Sequence, residues 1–178
     1  MTARIAETFG AAAAPGVYAA YERARPGGRP VDVLMDLITD ELLRVPALRL
    51  AEARAAVGNP VRAYQFDLPQ SPTGDGSAPP TASNCPSCAT TSGHWSHAPL
   101  VAGLGPAGRD GLAAAVHRAW IAFVRTGDPG HPALPRWDPY GSDPRTTMRF
   151  DSVVIALGDL AGDSRRLFAE VPGPGPMI

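Results

Sequence analysis

Only two cysteines occur among the 178 residues, Cys85 and Cys88, three positions apart. So close a pair cannot staple distant segments, which excludes a disulfide framework. Neither sign of charge is in excess: 16 Lys and Arg face 17 Asp and Glu, a formal net charge of −1. No basic surplus is available to neutralise phosphates, so no nucleic-acid partner is expected. Long apolar runs are missing as well. No stretch approaches the ~20 apolar residues that span a bilayer, and the opening "MTARIAETFGAAAAPG" lacks the continuous apolar run of a secretion signal. A cytoplasmic chain without membrane contact is the expectation.

What is present describes a folded protein. Hydrophobic residues make 44% of the chain and charged ones 19%, a composition able to build a core. The length suits a single domain over 1–178 better than two. Glycine and proline are abundant, at 19 and 20 residues. They gather in 67–93, 126–144 and 172–176, which marks connections between elements.

The local pattern predicts mostly helices. Thr2–Phe9 and Pro15–Arg23 read as two short ones broken by Gly10. From Val31, the residues Leu34, Leu37, Ile38, Leu42 and Val45 recur at helical spacing. Pro46 is expected to interrupt them, with a further helix over about Ala47–Val57 stopped by Gly58-Asn59-Pro60. "VRAYQFDL" (61–68) reads as a strand with Tyr64 and Phe66 on one face. Residues 69–93 offer almost nothing to pack and read as a long, flexible loop. "RDGLAAAVHRAWIAFVRTG" after Gly108 is the clearest helix, its stripe running through Leu112, Ala115, Val116, Ala119, Trp120 and Phe123, with Gly127 as its C-cap. "TTMRFDSVVIAL" (146–157) gives one or two strands, and Asp163–Glu170 a last helix. Strands and helices mix, without the regular alternation of a complete doubly wound sheet.

Three motifs imitate known chemistry. Cys85, Cys88, His94 and His97 form C-x2-C-x5-H-x2-H, and two thiolates with two imidazoles are legitimate zinc ligands. Zinc fingers hold a dozen or so residues between the ligand pairs, and here only five must turn back. A redox pair at Cys85-Pro86-Ser87-Cys88 would want a helix opening after a strand; two incidental loop cysteines is the favoured reading. "GLGPAG" (103–108) matches G-x-G-x-x-G and opens a helix, with Asp128 twenty positions on. Asp128 follows that helix directly, with no second strand to present it to a ribose, and Pro106 removes an amide from the cradle. "GDSRR" (162–166) has the letters of a hydrolase nucleophile block but no Asp-x-x-His after it. A helix-capping role for Asp163 or Ser164 explains it better. No metal and no cofactor is expected.

Five segments in one order carry a further signal. They are "TDELLRVPALRLAEA" (39–53), "VRAYQFDLPQSP" (61–72), "HRAWIAFVRTGDP" (117–129), "LPRWDPY" (134–140) and "TTMRFD" (146–151). Together they resemble the C-terminal third of the type B carboxylesterases, the α/β-hydrolase family that includes para-nitrobenzyl esterases and cholinesterases. The resemblance implies an α/β fold: the C-terminal portion of an α/β-hydrolase, helix-rich with a few strands and an incomplete sheet. In that family the triad histidine sits in a block resembling G-x-x-H-x-x-E-[IL]-P-[FY]-V-F. Laying Pro99 on the family proline places the histidine at His94 and a valine at Val101. The implied role of His94 is to take the proton of the nucleophilic serine and return it to the leaving alcohol. A base on a loop beyond a strand end also suits such a fold.

The match departs from the family at the glutamate, which is His97 here, and at the aromatics, which are Leu100 and Ala102. A solvent-exposed histidine without function is the alternative for His94. His117 and His131 read as structural, one on a helix and one in a Pro/Gly loop. Nothing matches the G-x-S-x-G that holds the serine, and the oxyanion-hole segment and the acid are missing too. Glu7 reads as helix surface, and Asp40 falls at a structural family position.

The expectation is therefore an ester hydrolase fragment, from a truncated gene, a mis-called start or a split enzyme, inactive alone. It would act on small-molecule carboxylic esters once completed by the N-terminal part. An incomplete sheet should leave edges and apolar faces that aggregate, self-associate or pair with a complementary chain. A non-catalytic remnant or interaction module, or a small zinc-stabilised protein through Cys85, Cys88, His94 and His97, are the competing classes.

Overall fold

Two separate hydrophobic cores organise the residues that the computed structural model describes, 2–67, 106–169 and 171. In chain order the elements are α1 (Thr2–Phe9), α2 (Ala14–Ala24), α3 (Pro30–Thr39), a π-helical turn (Asp40–Arg44), α4 (Val45–Ala56), β1 (Ala63–Phe66), α5 (Pro106–Thr126), β2 (Thr146–Phe150), β3 (Ile155–Gly158) and α6 (Gly162–Leu167). They divide into two units, Met1–Arg54 with Ala161–Ile178, and Ala55–Leu160.

In the first unit, Gly10 at φ +83° ends α1, a left-handed conformation that costs a glycine least. Ile5, Val17, Tyr21, Val33, Leu37 and Phe168 are among the buried residues that make one cluster. Phe9 meets Phe168 edge-on, with ring centroids 4.7 Å apart. Arg49 ties the C-terminal turn down by donating from Nη2 to the carbonyls of Phe168 and Val171, both at 2.6 Å.

Pro46 does not break the chain of helices. It cannot donate to the carbonyl four residues back, and the backbone answers by widening into the π turn, where the Val45 N–H bonds the Asp40 carbonyl. The wider turn shifts the helical register by about one residue, or about 100°. Leu42 and Leu43 swing outward as a result, 57% and 53% exposed, whereas Val45 is 2% exposed. Of the expected stripe, Leu34 and Ile38, which precede the π turn, are half-buried and Leu42 is exposed, and the buried positions are Val33, Leu37, Asp40 and Val45.

Asp40 is an acid in an apolar stripe, 1% exposed, so it needs partners. Tyr21 donates its hydroxyl to Oδ2 at 2.7 Å, and Arg44, one turn along, pairs with Oδ1. Burial, and then the hydrogen bond to Asp40, raise the Tyr21 phenol far above its ordinary value, while a hydrogen bond with Ser164 opposes this. Tyr21 therefore stays a donor throughout the accessible pH range. A folded-state value above the unfolded one, about 10, means the contribution is complete below that pH and fades as pH rises past it. Tyr21→Phe should cost about 1–3 kcal/mol at neutral pH and flatten the loss of stability above about pH 10. Thermal melts of both forms between neutral and alkaline pH check this.

The second unit is a three-stranded sheet, β1-β2-β3, with α5 in the connection between β1 and β2. β1 and β2 are parallel, pairing Tyr64 with Met148 and Phe66 with Phe150; such a pair requires a long crossover. β2 and β3 are antiparallel, pairing Met148 with Ala156. Tyr64 and Phe66 share a face, as their period-two spacing predicts. Phe150 is the hub: it stacks on Phe66 at 5.3 Å and meets Tyr64 and Trp137 edge-on, each at 5.9 Å. Leu112, Val116 and Ala119 of α5 close the cluster with Met148, which is fully buried. Gly127 at φ +77° caps α5, its N–H bonding the Phe123 carbonyl.

Candidate active site

In open α/β sheets the reactive groups gather outside the carboxyl ends of parallel strands. The described platform has one such end. β1 and β2 finish together at Phe66 and Phe150, and the Asp67 N–H bonds the Phe150 carbonyl at 2.9 Å, so the pairing runs one residue past the strand. Asp67 accepts a hydrogen bond from Gln65 Nε2 at 2.7 Å, which orients its carboxylate. From that end the chain leads into residues 68–105. Cys85, Cys88, His94 and His97, and the glycines of "GLG" at 103–105, lie outside the described residues. So does the expected loop over 69–93.

The other candidates resolve into structural roles. His131 Nε2 lies 2.9 Å from the Ala115 carbonyl, and its Nδ1 accepts from the Ala133 N–H at 3.3 Å; the ring pins the loop after α5 to the helix. His117 is half-buried on α5 and has a partner of its own. Glu7 pairs with Arg4 at the surface. Asp128 accepts from the Gly130 N–H at 2.9 Å and faces Arg62 at 3.6 Å, which is loop and cap geometry, not a ribose site. Neither Asp163 nor Ser164 caps α6. The N-cap is Ala161, without a side-chain bond. Asp163 instead pairs with Arg166 at 2.6 Å, and Ser164 lies beside Tyr21, because both residues lie inside the first turn, where the side chain points along the helix surface. Among the described residues no three His, Cys, Asp or Glu side chains gather to hold a metal, and no helix is long and apolar enough to cross a membrane.

The structure also presents a sheet edge and exposed apolar side chains. β1 is an edge strand among the described residues, although parallel sheets are normally covered on both sides. On α5, Trp120, Ile121, Phe123 and Val124 are 42–79% exposed. Trp120 and Phe123, expected in the buried stripe, are instead part-exposed and line a pocket with Arg62.

Comparison with known proteins agrees with this partial platform. The carboxylesterase family profile matches residues 7–157. Phenmedipham hydrolase of Pseudarthrobacter oxydans is 38% identical over 151 residues, 83% of this chain and 28% of that protein. An esterase from Clostridium hathewayi, described as able to hydrolyse aliphatic aromatic polyesters, superposes with a TM-score of 0.64 at 25% identity, over 96% of this chain and 32% of that one. A carboxylesterase of Geobacillus stearothermophilus superposes with a TM-score of 0.66 at 26% identity, over 86% and 31%. The chain thus spans less than a third of the length of each of these relatives. Its helix-rich elements and three-stranded sheet are a partial α/β-hydrolase fold, and the chain belongs to the carboxylesterase family.

Proposed function

We propose that this chain supplies the histidine of a carboxylic ester hydrolase, with His94 as the general base and acid. The observation that carries the reading is the parallel β1–β2 pair, whose carboxyl end at Phe66 leads directly into the segment holding His94. The family membership supplies the reaction class. In that reaction a serine Oγ attacks the ester carbonyl while the histidine takes its proton. The histidine then returns the proton to the leaving alkoxide, and an acyl-serine forms. Water, deprotonated by the same histidine, cleaves the acyl-serine and frees the acid.

The serine, the acid that orients the imidazole and the oxyanion donors would lie in the part of the enzyme outside these 178 residues, which would cover the β1 edge. A histidine alone loses most of the rate enhancement, because the nucleophile and oxyanion donors carry it. Substrates on this reading are small-molecule carboxylic esters.

Complementation tests the proposal. Co-expression with the N-terminal two-thirds of the phenmedipham hydrolase should give a complex that hydrolyses aryl esters, while either piece alone does not. A stable complex with no activity would overturn the catalytic role and leave an interaction module.

A further inference from the structure

A pocket of about 110 Å³ opens on the second unit where α5 ends and β1 begins. Its walls are largely rings: Tyr64, Trp120, Phe123, Trp137 and Phe150, with Arg62 among them. Trp120 and Phe123 are 43% and 42% exposed and form its solvent side.

The polar atoms in this wall are the unusual feature. Four buried side-chain nitrogens lack a hydrogen-bond partner among the described residues, and three of them belong to Arg62 (Nε and Nη1) and Trp137 (Nε1). Trp137 is only 7% exposed, and the Arg62 side chain 12%. Buried donors are nearly always satisfied, and a buried cation without acceptors is costly. The Arg62 counterion does not meet the need. Asp128 stands 3.6 Å from Nη2, beyond hydrogen-bond distance. It is 60% exposed, and its near oxygen already accepts the Gly130 N–H. An acceptor with negative charge is what the site lacks. The volume is that of cavities that take one aromatic ring, and too small for a drug-sized ligand.

We propose that this pocket binds a small aromatic carboxylate, with its ring among Tyr64, Trp120 and Phe123 and its oxygens accepting hydrogen bonds from Arg62 and Trp137. The site does not depend on the chain being catalytic. Charge-assisted hydrogen bonds from a guanidinium favour a carboxylate over a neutral alcohol of the same shape.

Benzoate is the probe, titrated against the full chain with tryptophan fluorescence as the readout, since Trp120 and Trp137 both line the pocket. Saturable binding with a Kd of about 1 mM or tighter is expected, with benzyl alcohol at least about tenfold weaker. Arg62→Met should weaken benzoate by about tenfold or more and leave benzyl alcohol unchanged. Asp128→Asn should tighten benzoate, because it removes a competing anion; a merely structural Arg62–Asp128 pair predicts the reverse. Should Arg62→Met fail to fold by circular dichroism, the direction of the Asp128→Asn effect decides. The absence of saturation, benzoate affinity untouched by Arg62→Met, or weaker binding in Asp128→Asn would each overturn the site.

Discussion

His94→Ala, made in the complemented enzyme, should lower kcat for aryl-ester hydrolysis on the order of 10⁴–10⁶-fold with little change in KM. The size follows from the two proton transfers that pass through one imidazole. Without it the serine must attack as a neutral hydroxyl, and the alkoxide must leave unprotonated. Ground-state binding uses other groups, so KM is spared. His97→Ala is the control. His97 stands where the family block has glutamate, three residues after the base, and its removal should leave the proton transfers in place with an effect of less than about tenfold. Equal losses from both changes would assign the effect to the fold of the segment and not to catalysis by His94. Steady-state kinetics on the two variants, each purified as the complex, distinguishes these outcomes.

Phe150→Ala should be the most damaging single truncation in the second unit, costing about 3–5 kcal/mol. Phe150 is 1% exposed on β2, the central strand. Its ring touches Phe66, Tyr64 and Trp137, so truncation removes several contacts at once and leaves a cavity between a sheet and a helix that cannot both close on it. Total stabilities of about 5–15 kcal/mol are typical of whole domains, and a partial fold stands at the low end. Phe150→Leu keeps most of the volume and should cost under about 1.5 kcal/mol. Chemical denaturation followed by tryptophan fluorescence reports this core through Trp137. The first unit has its own cluster, which contains no residue of this one, so its helical signal should persist in Phe150→Ala. A loss of under about 1 kcal/mol would show that the aromatic cluster repacks freely, and that Phe150 is not its hub.

Local chemistry made much of the fold readable. Gly10, Gly58 and Gly127 all sit at positive φ, and each lies at a helix end where glycine alone escapes the Cβ clash. The α1 boundaries, the strand around Tyr64 and Phe66 and the long helix before Gly127 follow from such signals and from apolar periodicity. Pro46 was harder to read. Its missing N–H is a local fact, but whether the chain breaks or widens depends on what Val45 and Asp40 pack against, and only the packed cluster selects the π turn. Asp40 reads from the sequence as a structural position without a named partner. Tyr21, distant in sequence, makes it a buried acceptor.

The amino-acid sequence by itself determined which family this chain belongs to and where the first helix and the long helix before Gly127 end, and it is the source of the proposal for His94. Those properties rest on backbone preferences and on side-chain order along the chain, which neighbours in space do not alter. The tertiary structure alone decided that neither Asp163 nor Ser164 caps the last helix, that Leu42 faces outward, and that Arg62 and Trp137, both with unsatisfied donors, line one aromatic pocket. Those properties are long-range. A side chain's partners are set by which elements pack together, and no spacing within one element encodes that.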